Sequence, residues 1–157
     1  MAYLLEPLLR IRKMREDRAS GELSAARRAV AKAEDELEAR RRDLAEFERT
    51  KEERRDRIYD AIIGRKVSRN QIDIAGEAIA RIDSEGVLKA DNVKRAQDVV
   101  REKKEAENVA RSLFFVATKN RMKIDEHRNV WNASQLAESE YRAEGELEDF
   151  NVRKEEI

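Results

Sequence analysis

The sequence predicts an all-α protein, a long two-helix antiparallel coiled-coil hairpin, and three observations carry that expectation. Of its 157 residues 43% are charged and 5% aromatic, whereas an ordinary globular domain is about a quarter charged. So charged a chain can bury a narrow seam between helices and little more. One proline and five glycines leave helix breakers nearly absent. Apolar residues recur at alternating steps of three and four along most of the length, which keeps one stripe of a helix against a partner. A single structural unit is expected at this length.

The first arm is expected over about residues 5–63. Pro7 stands near its start, where a first-turn N–H has no partner within the helix anyway. Leu4, Leu8, Ile11 and Met14 form a stripe offset from the one that follows, which predicts a stutter near residues 18–21. From Leu23 the seam passes through Ala26, Val30, Ala33, Leu37, Leu44, Phe47, Ile58 and Ala61, in phase across the polar seats Arg40, Lys51 and Arg54. At 1.5 Å per residue such an arm runs about 85 Å.

Gly64 is the position suited to a left-handed C-terminal cap, so a turn is expected over residues 64–70, with Ser68 or Asn70 capping the next helix. The second arm, about 71–145, carries Ile72, Ala75, Ile79, Ile82, Val93, Ala96, Val100, Ala110, Leu113, Ala117, Ile124, Trp131 and Tyr141. Its weak point is Asp83-Ser84-Glu85-Gly86. Glycine there costs about 1 kcal/mol relative to alanine, so a kink or short break near Gly86 is expected. The segment 146–157 is expected to fray. Folding back at Gly64 sets Leu44, Phe47 and Ile58 against Ile72, Ile79 and Ile82, and the N-terminal leucines beside residues 114–131. Because the hairpin closes its seam within one chain, a monomer is expected in isolation.

Lys+Arg and Asp+Glu both number 34 and are interspersed. A nucleic-acid partner would need a basic surplus on one face, so none is expected. The absence of cysteine excludes disulfides and thiolate chemistry. The apolar N-terminal run is interrupted by Glu6, too early for a secretory signal. No stretch approaches the roughly twenty apolar residues of a membrane span. A cytoplasmic protein without direct membrane insertion is the expectation.

His127 is the only histidine. It has no second imidazole or thiolate to join it on a metal, and packing at the seam is the better account. Carboxylate pairs such as Asp35 and Glu38 lie among as many cations and read as a solvated face. With no phosphate-cradling Gly-Lys-Ser/Thr loop and no nucleophile paired with a base, no catalytic, cofactor-binding or metal-ligating residues are expected. The chain reads as a non-enzyme that works through contacts with other proteins.

Two stretches carry a choice of reading. At the turn, Arg65, Lys66 and Arg69 stand without an acid between Ala61 and Gln71, beside Ile62, Ile63 and Val67. This is either a solvated loop or a basic, partly apolar tip that docks on an acidic partner. In Leu113-Phe114-Phe115-Val116, neighbouring positions point about 100° apart, so one seam does not bury all four. Phe114 and Phe115 therefore either form a partner surface or pack against the N-terminal stutter.

The N-terminal stretch Pro7-Leu8-Leu9-Arg10-Ile11-Arg12-Lys13-Met14-Arg15-Glu16-Asp17-Arg18-Ala19 resembles the opening of the YscO (SctO) stalk proteins of type III secretion systems, relatives of the flagellar export protein FliJ. Leu8, Ile11, Arg12, Arg15, Glu16, Arg18 and Ala19 hold the places of a Pro-Leu-x-x-Leu-x-x-Arg stretch followed by Arg-Glu-x-Arg-Ala. Trp131 and the ending Glu146-Leu147-Glu148-Asp149-Phe150 are also similar. Arg40, Lys51 and Arg54 depart from the family's stronger mid-arm apolar seats, which implies an arm that bends or opens. The resemblance implies a stalk in the pore of the hexameric secretion ATPase that links it to the export gate protein and also handles secretion chaperones. Leu8, Arg12, Arg15, Glu16 and Arg18 would then face the ATPase, and Ile62, Ile63, Arg65, Lys66, Val67 and Arg69 the gate. The alternatives are a generic coiled-coil scaffold or a holdase-type adaptor.

Overall fold

Gly64 and Ser68 decide where one helix ends and the next begins. In the computed structural model of the protein, which describes residues 2–155, α1 spans Glu6–Asp60 (55 residues) and α2 spans Arg69–Glu155 (87 residues). After Asp60 the chain tightens: the N–H groups of Ile62 and Ile63 both donate to the Tyr59 carbonyl, at 3.0 and 2.8 Å. Gly64 then takes φ 71°, the left-handed conformation that glycine adopts without penalty. Ser68, rather than Asn70, caps α2. Its Oγ accepts from the Gln71 N–H at 3.2 Å, and Gln71 Oε1 accepts from the Ser68 N–H at 2.8 Å. The two form a reciprocal capping box that satisfies two donors at the helix start.

The chain forms two units, Ser24–Val109 and a second made of Met1–Leu23 with Ala110–Ile157. Within Ser24–Val109 the helices run antiparallel: Glu34 pairs with Lys104 at 3.3 Å, Asp43 with Lys89 at 2.8 Å and Arg54 with Glu85 at 2.9 Å. Ala33, Leu37, Ala96 and Val100 form a buried cluster with Val93 packed against it.

Of the kink or short break expected near Gly86, the break does not occur: α2 runs unbroken through it. Gly86 receives the buried Phe47 ring, and a Cβ added there would lie 2.7 Å from Phe47 Cε1. The glycine is thus the hole for a large aromatic knob. Arg54, one of the polar seats, stands 5.8 Å over the same ring while paired with Glu85. Of the cross-contacts expected near the turn, Ile58 lies with Ala75 and Ala78. Ile72 instead stands 52% exposed.

In the unit of Met1–Leu23 and Ala110–Ile157 the helices are also antiparallel, with Glu6 near Arg128 at 3.5 Å and Glu16 on Arg121 at 2.5 Å. The N-terminal phase differs from the expectation. Leu5, Leu9, Arg12, Glu16, Ala19 and Leu23 form the covered row, with Tyr3 buried ahead of it and Glu6 and Leu8 half-buried beside it. That row continues the later heptad steps without a stutter. Leu4, Ile11 and Met14 point outward, exposed by 88%, 46% and 70%. The offset stripe read from hydropathy is therefore an outer row beside the seam. The two charged seats Arg12 and Glu16 had hidden the true phase.

The expected fraying from residue 146 is also corrected, since α2 continues to Glu155; residues 156–157 lie outside the described residues. Ion pairs within α2 such as Arg142 on Glu138 at 2.5 Å support a helix that has little to pack against.

Candidate docking surfaces at the turn and beside the N-terminal leucines

Around the turn, Ile58, Ile62 and Val67 join Ile74, Ala75 and Ala78 to line an apolar groove of about 430 Å³, with Arg57 and Gln71 at its margin. Ile62 and Val67 are half-buried as its floor, while Ile63 stands out at 67% exposure. Arg65, Lys66 and Arg69 are exposed and make no ion pair among the described residues. Of the six tip residues read from the sequence, Ile62 and Val67 line this groove and Ile63, Arg65, Lys66 and Arg69 do not; Ile74, passed over in the sequence, does. Its two-residue step from Ile72 breaks the seam period, and that step was the available signal. Both are more than half exposed, at 52% and 56%.

A second surface lies in the unit that holds both the N-terminal stretch and Ala110–Ile157. Arg12 and Arg15 join Leu113, Val116, Ala117 and Asn120 around a shallow groove of about 120 Å³. Arg12 Nε is buried there without a hydrogen-bond partner. Leu8 is half-buried nearby. Glu16 is engaged by Arg121, whose guanidinium also donates to Asp125. The bonds to Glu16 first and Asp125 second raise the Arg121 pKa and hold its charge. Arg18 is exposed and paired with Glu22 at 3.2 Å on its own helix. Glu16 therefore orders the two helices, and Arg12 and Arg15 remain without an ion pair among the described residues.

The aromatic stretch divides as helical geometry requires. Phe114 turns half-buried into the seam; Leu113, Phe115 and Val116 stay 54%, 66% and 52% exposed. Leu113 and Val116, which flank the two phenylalanines, are the ones beside Arg12 and Arg15. Sequence reading also missed Tyr3. Its ring is buried, its hydroxyl lies 2.7 Å from His127 Nδ1, and it packs against Trp131 with centroids 5.4 Å apart. Among the described residues no group of acids and histidine could hold a metal ion. Nor is any helix there long and apolar enough to cross a membrane.

The family model described as type III secretion protein YscO matches residues 5–153. The chain belongs to the YscO family of type III secretion proteins. No curated protein and no solved structure matches it. The YscO match takes in α1, the turn and α2 together, so both grooves lie inside the family's extent.

Proposed function

We propose that this YscO-family protein is the non-enzymatic central stalk and coupling factor of a type III secretion ATPase, linking the ATPase hexamer to the export gate. In this reading it works at the cytoplasmic face of the inner membrane and handles secretion chaperones. The observation that carries it is a family match along both helices of a hairpin bearing two unlike cationic surfaces. One is the apolar groove at the turn with unpaired Arg65, Lys66 and Arg69. The other is the row of Leu8, Arg12 and Arg15 on the N-terminal stretch, which Glu16 and its pair with Arg121 hold in place.

A shaft that turns or slides in a ring needs contacts that do not jam. Exposed, interspersed charges give short-ranged forces, screened within about 8 to 10 Å at physiological salt. The turn offers the gate something more specific: apolar seats in Ile62, Ile63 and Val67 with a cationic rim that selects an acidic surface.

The test is the hydrolysis rate and hexamer fraction of the cognate secretion ATPase with and without this protein. Both should rise. No change in either returns the chain to a generic coiled-coil scaffold or holdase-type adaptor within the secretion apparatus. Reversing charge at Arg65, Lys66 and Arg69 should leave helicity unchanged and weaken binding to the gate about tenfold or more. Undiminished gate binding would remove the turn from the functional surface.

A further inference from the structure

The outer row Leu4, Leu8, Ile11 and Arg15 on α1 advances by four, three and four residues, one position beside the seam row Leu5, Leu9, Arg12 and Glu16. On α2 the row Leu113, Val116, Asn120 does the same beside Phe114, Ala117 and Arg121, and leads on to His127 and Val130. Arg15 meets Leu113, Val116 and Asn120 around one groove, so the two rows border the same side of the seam. Leu4, Ile11, Leu113, Val116 and Val130 on these rows are exposed, by 88%, 46%, 54%, 52% and 66%, while Leu8 and Asn120 are half-buried. Arg15 and Lys123 stand on the same rows, and the segments that carry them are basic: residues 4–15 hold four cations and one acid, and residues 110–131 five cations and two acids, of which Arg121 and Arg128 answer Glu16 and Glu6.

The remainder of α2 has the opposite character. Between Asn132 and Lys154 Gln135 alone is half-buried and every other residue is exposed. Residues 132–152 hold six acids and one cation, with Leu136, Tyr141, Leu147 and Phe150 each at least 60% exposed. An isolated helix of this length is marginal in water, and helices in proteins owe most of their stability to a packed face.

We propose that a second copy of this chain covers both: the acidic 132–152 segment of one protomer lies along the basic, apolar side formed by residues 4–15 and 113–130 of the other, reciprocally. The lengths agree, since 21 residues of helix span about 31 Å and the 18 from Leu113 to Val130 about 27 Å. The charges are complementary, and Arg12, whose Nε is buried without an acceptor, gains an acid. The seam closes within one chain, so self-association is not needed to bury it. This association uses the outside of that seam and leaves it intact. It is reciprocal and closed, as in most homodimers. The proposal goes beyond the stalk reading and requires no secretion component, so each is tested without the other; because it covers Leu8, Arg12 and Arg15, the dimer must open before that row meets the ATPase.

The test is sedimentation of the full-length protein over a wide concentration range in low and high salt. A dimer that dissociates on dilution, and more readily in high salt, is expected. Arg12→Glu with Arg15→Glu in one chain, or Glu144→Lys with Glu148→Lys in another, should weaken self-association about tenfold or more. Mixing the two variants should restore a heterodimer. As a readout that keeps the native charges, Ile11→Cys with Ala143→Cys in this cysteine-free chain should give intermolecular disulfides under mild oxidation. A chain that stays monomeric at all concentrations, or a dimer indifferent to both reversals and uncrosslinked by the cysteine pair, overturns the proposal. So does association only with an added partner protein.

Discussion

The unit Ser24–Val109 and the unit of Met1–Leu23 with Ala110–Ile157 are both antiparallel helix pairs, yet they bury different things. In the first, both helices contribute: Val30, Ala33, Leu37 and Phe47 from α1 meet Ala75, Ile82, Ala96 and Val100 from α2. In the second the buried residues are Tyr3, Leu9, Ala19 and Leu23, all from the N-terminal side. There α2 is half-covered at best. Its seam seats include Arg121 and Arg128, which answer Glu16 and Glu6. One heptad repeat thus supports a dry seam and a wet one. The first seam is closed by apolar residues from both helices, and the second leaves apolar surface such as Leu113, Phe115 and Val116 exposed.

The largest expected effect breaks the dry seam. Phe47→Ala should cost about 3 kcal/mol, the low end for a buried phenylalanine, because Gly86 opposite it offers no side chain to fill the space. Leu9→Ala in the other unit should cost about 2 kcal/mol. Leu9 is wholly buried, but its half-open surroundings can settle into the gap. Urea unfolding of the two variants checks the order, and a larger loss for Leu9→Ala would show that the wet seam is the more tightly packed.

Gly86→Ala comes next and sharpens the comparison, because propensity and packing oppose each other. Alanine gains about 1 kcal/mol in a helix interior, while overpacking a seated ring costs about 1 to 3 kcal/mol. The contact at 2.7 Å with the edge of Phe47 favours packing, so a net loss of about 1 kcal/mol is expected. Combined with Phe47→Leu, the same substitution should become neutral or stabilising. A Gly86→Ala that stabilises the parent protein would mean the ring shifts freely.

How much of this was legible in the sequence follows from what hydropathy can register. The heptad from Leu23, the left-handed Gly64 and a cap at Ser68 or Asn70 follow from residue type and spacing, and the structure has the first two and takes Ser68 for the third. Arg12 and Glu16 occupy seam seats because Arg121 and the groove beside Leu113 receive them, and that is knowledge of a partner helix 105 residues away in the chain from Glu16. Hydropathy therefore placed the N-terminal stripe on Leu4, Leu8, Ile11 and Met14, one row out. The reading of Gly86 has the same limit: a glycine's cost is local and visible, whereas its use as the hole for Phe47 is tertiary. Tertiary contacts also account for what the turn reading left out: Ile62 and Val67 were named there, whereas Ile74 and Ala78 reach the same groove from α2.

The smallest expected effect concerns the pair that holds the wet seam in phase. Glu16 and Arg121 side chains are 21% and 26% exposed, between a surface pair and a buried one. A double-mutant cycle with Glu16→Gln and Arg121→Gln should give a resolvable coupling between the two positions. Salt should reduce it only in part, because a pair so covered is screened less than a free one. The matching cycle on Arg49 and Glu46, 72% and 62% exposed and neighbours on one helix, should give a smaller coupling that vanishes in high salt. If the two cycles agree, Glu16 is an ordinary surface charge, and its place on the seam owes nothing to Arg121. If they differ as expected, the pair fixes which row of α1 faces inward. It thereby also fixes which row, with Leu8, Ile11 and Arg15, is left facing out.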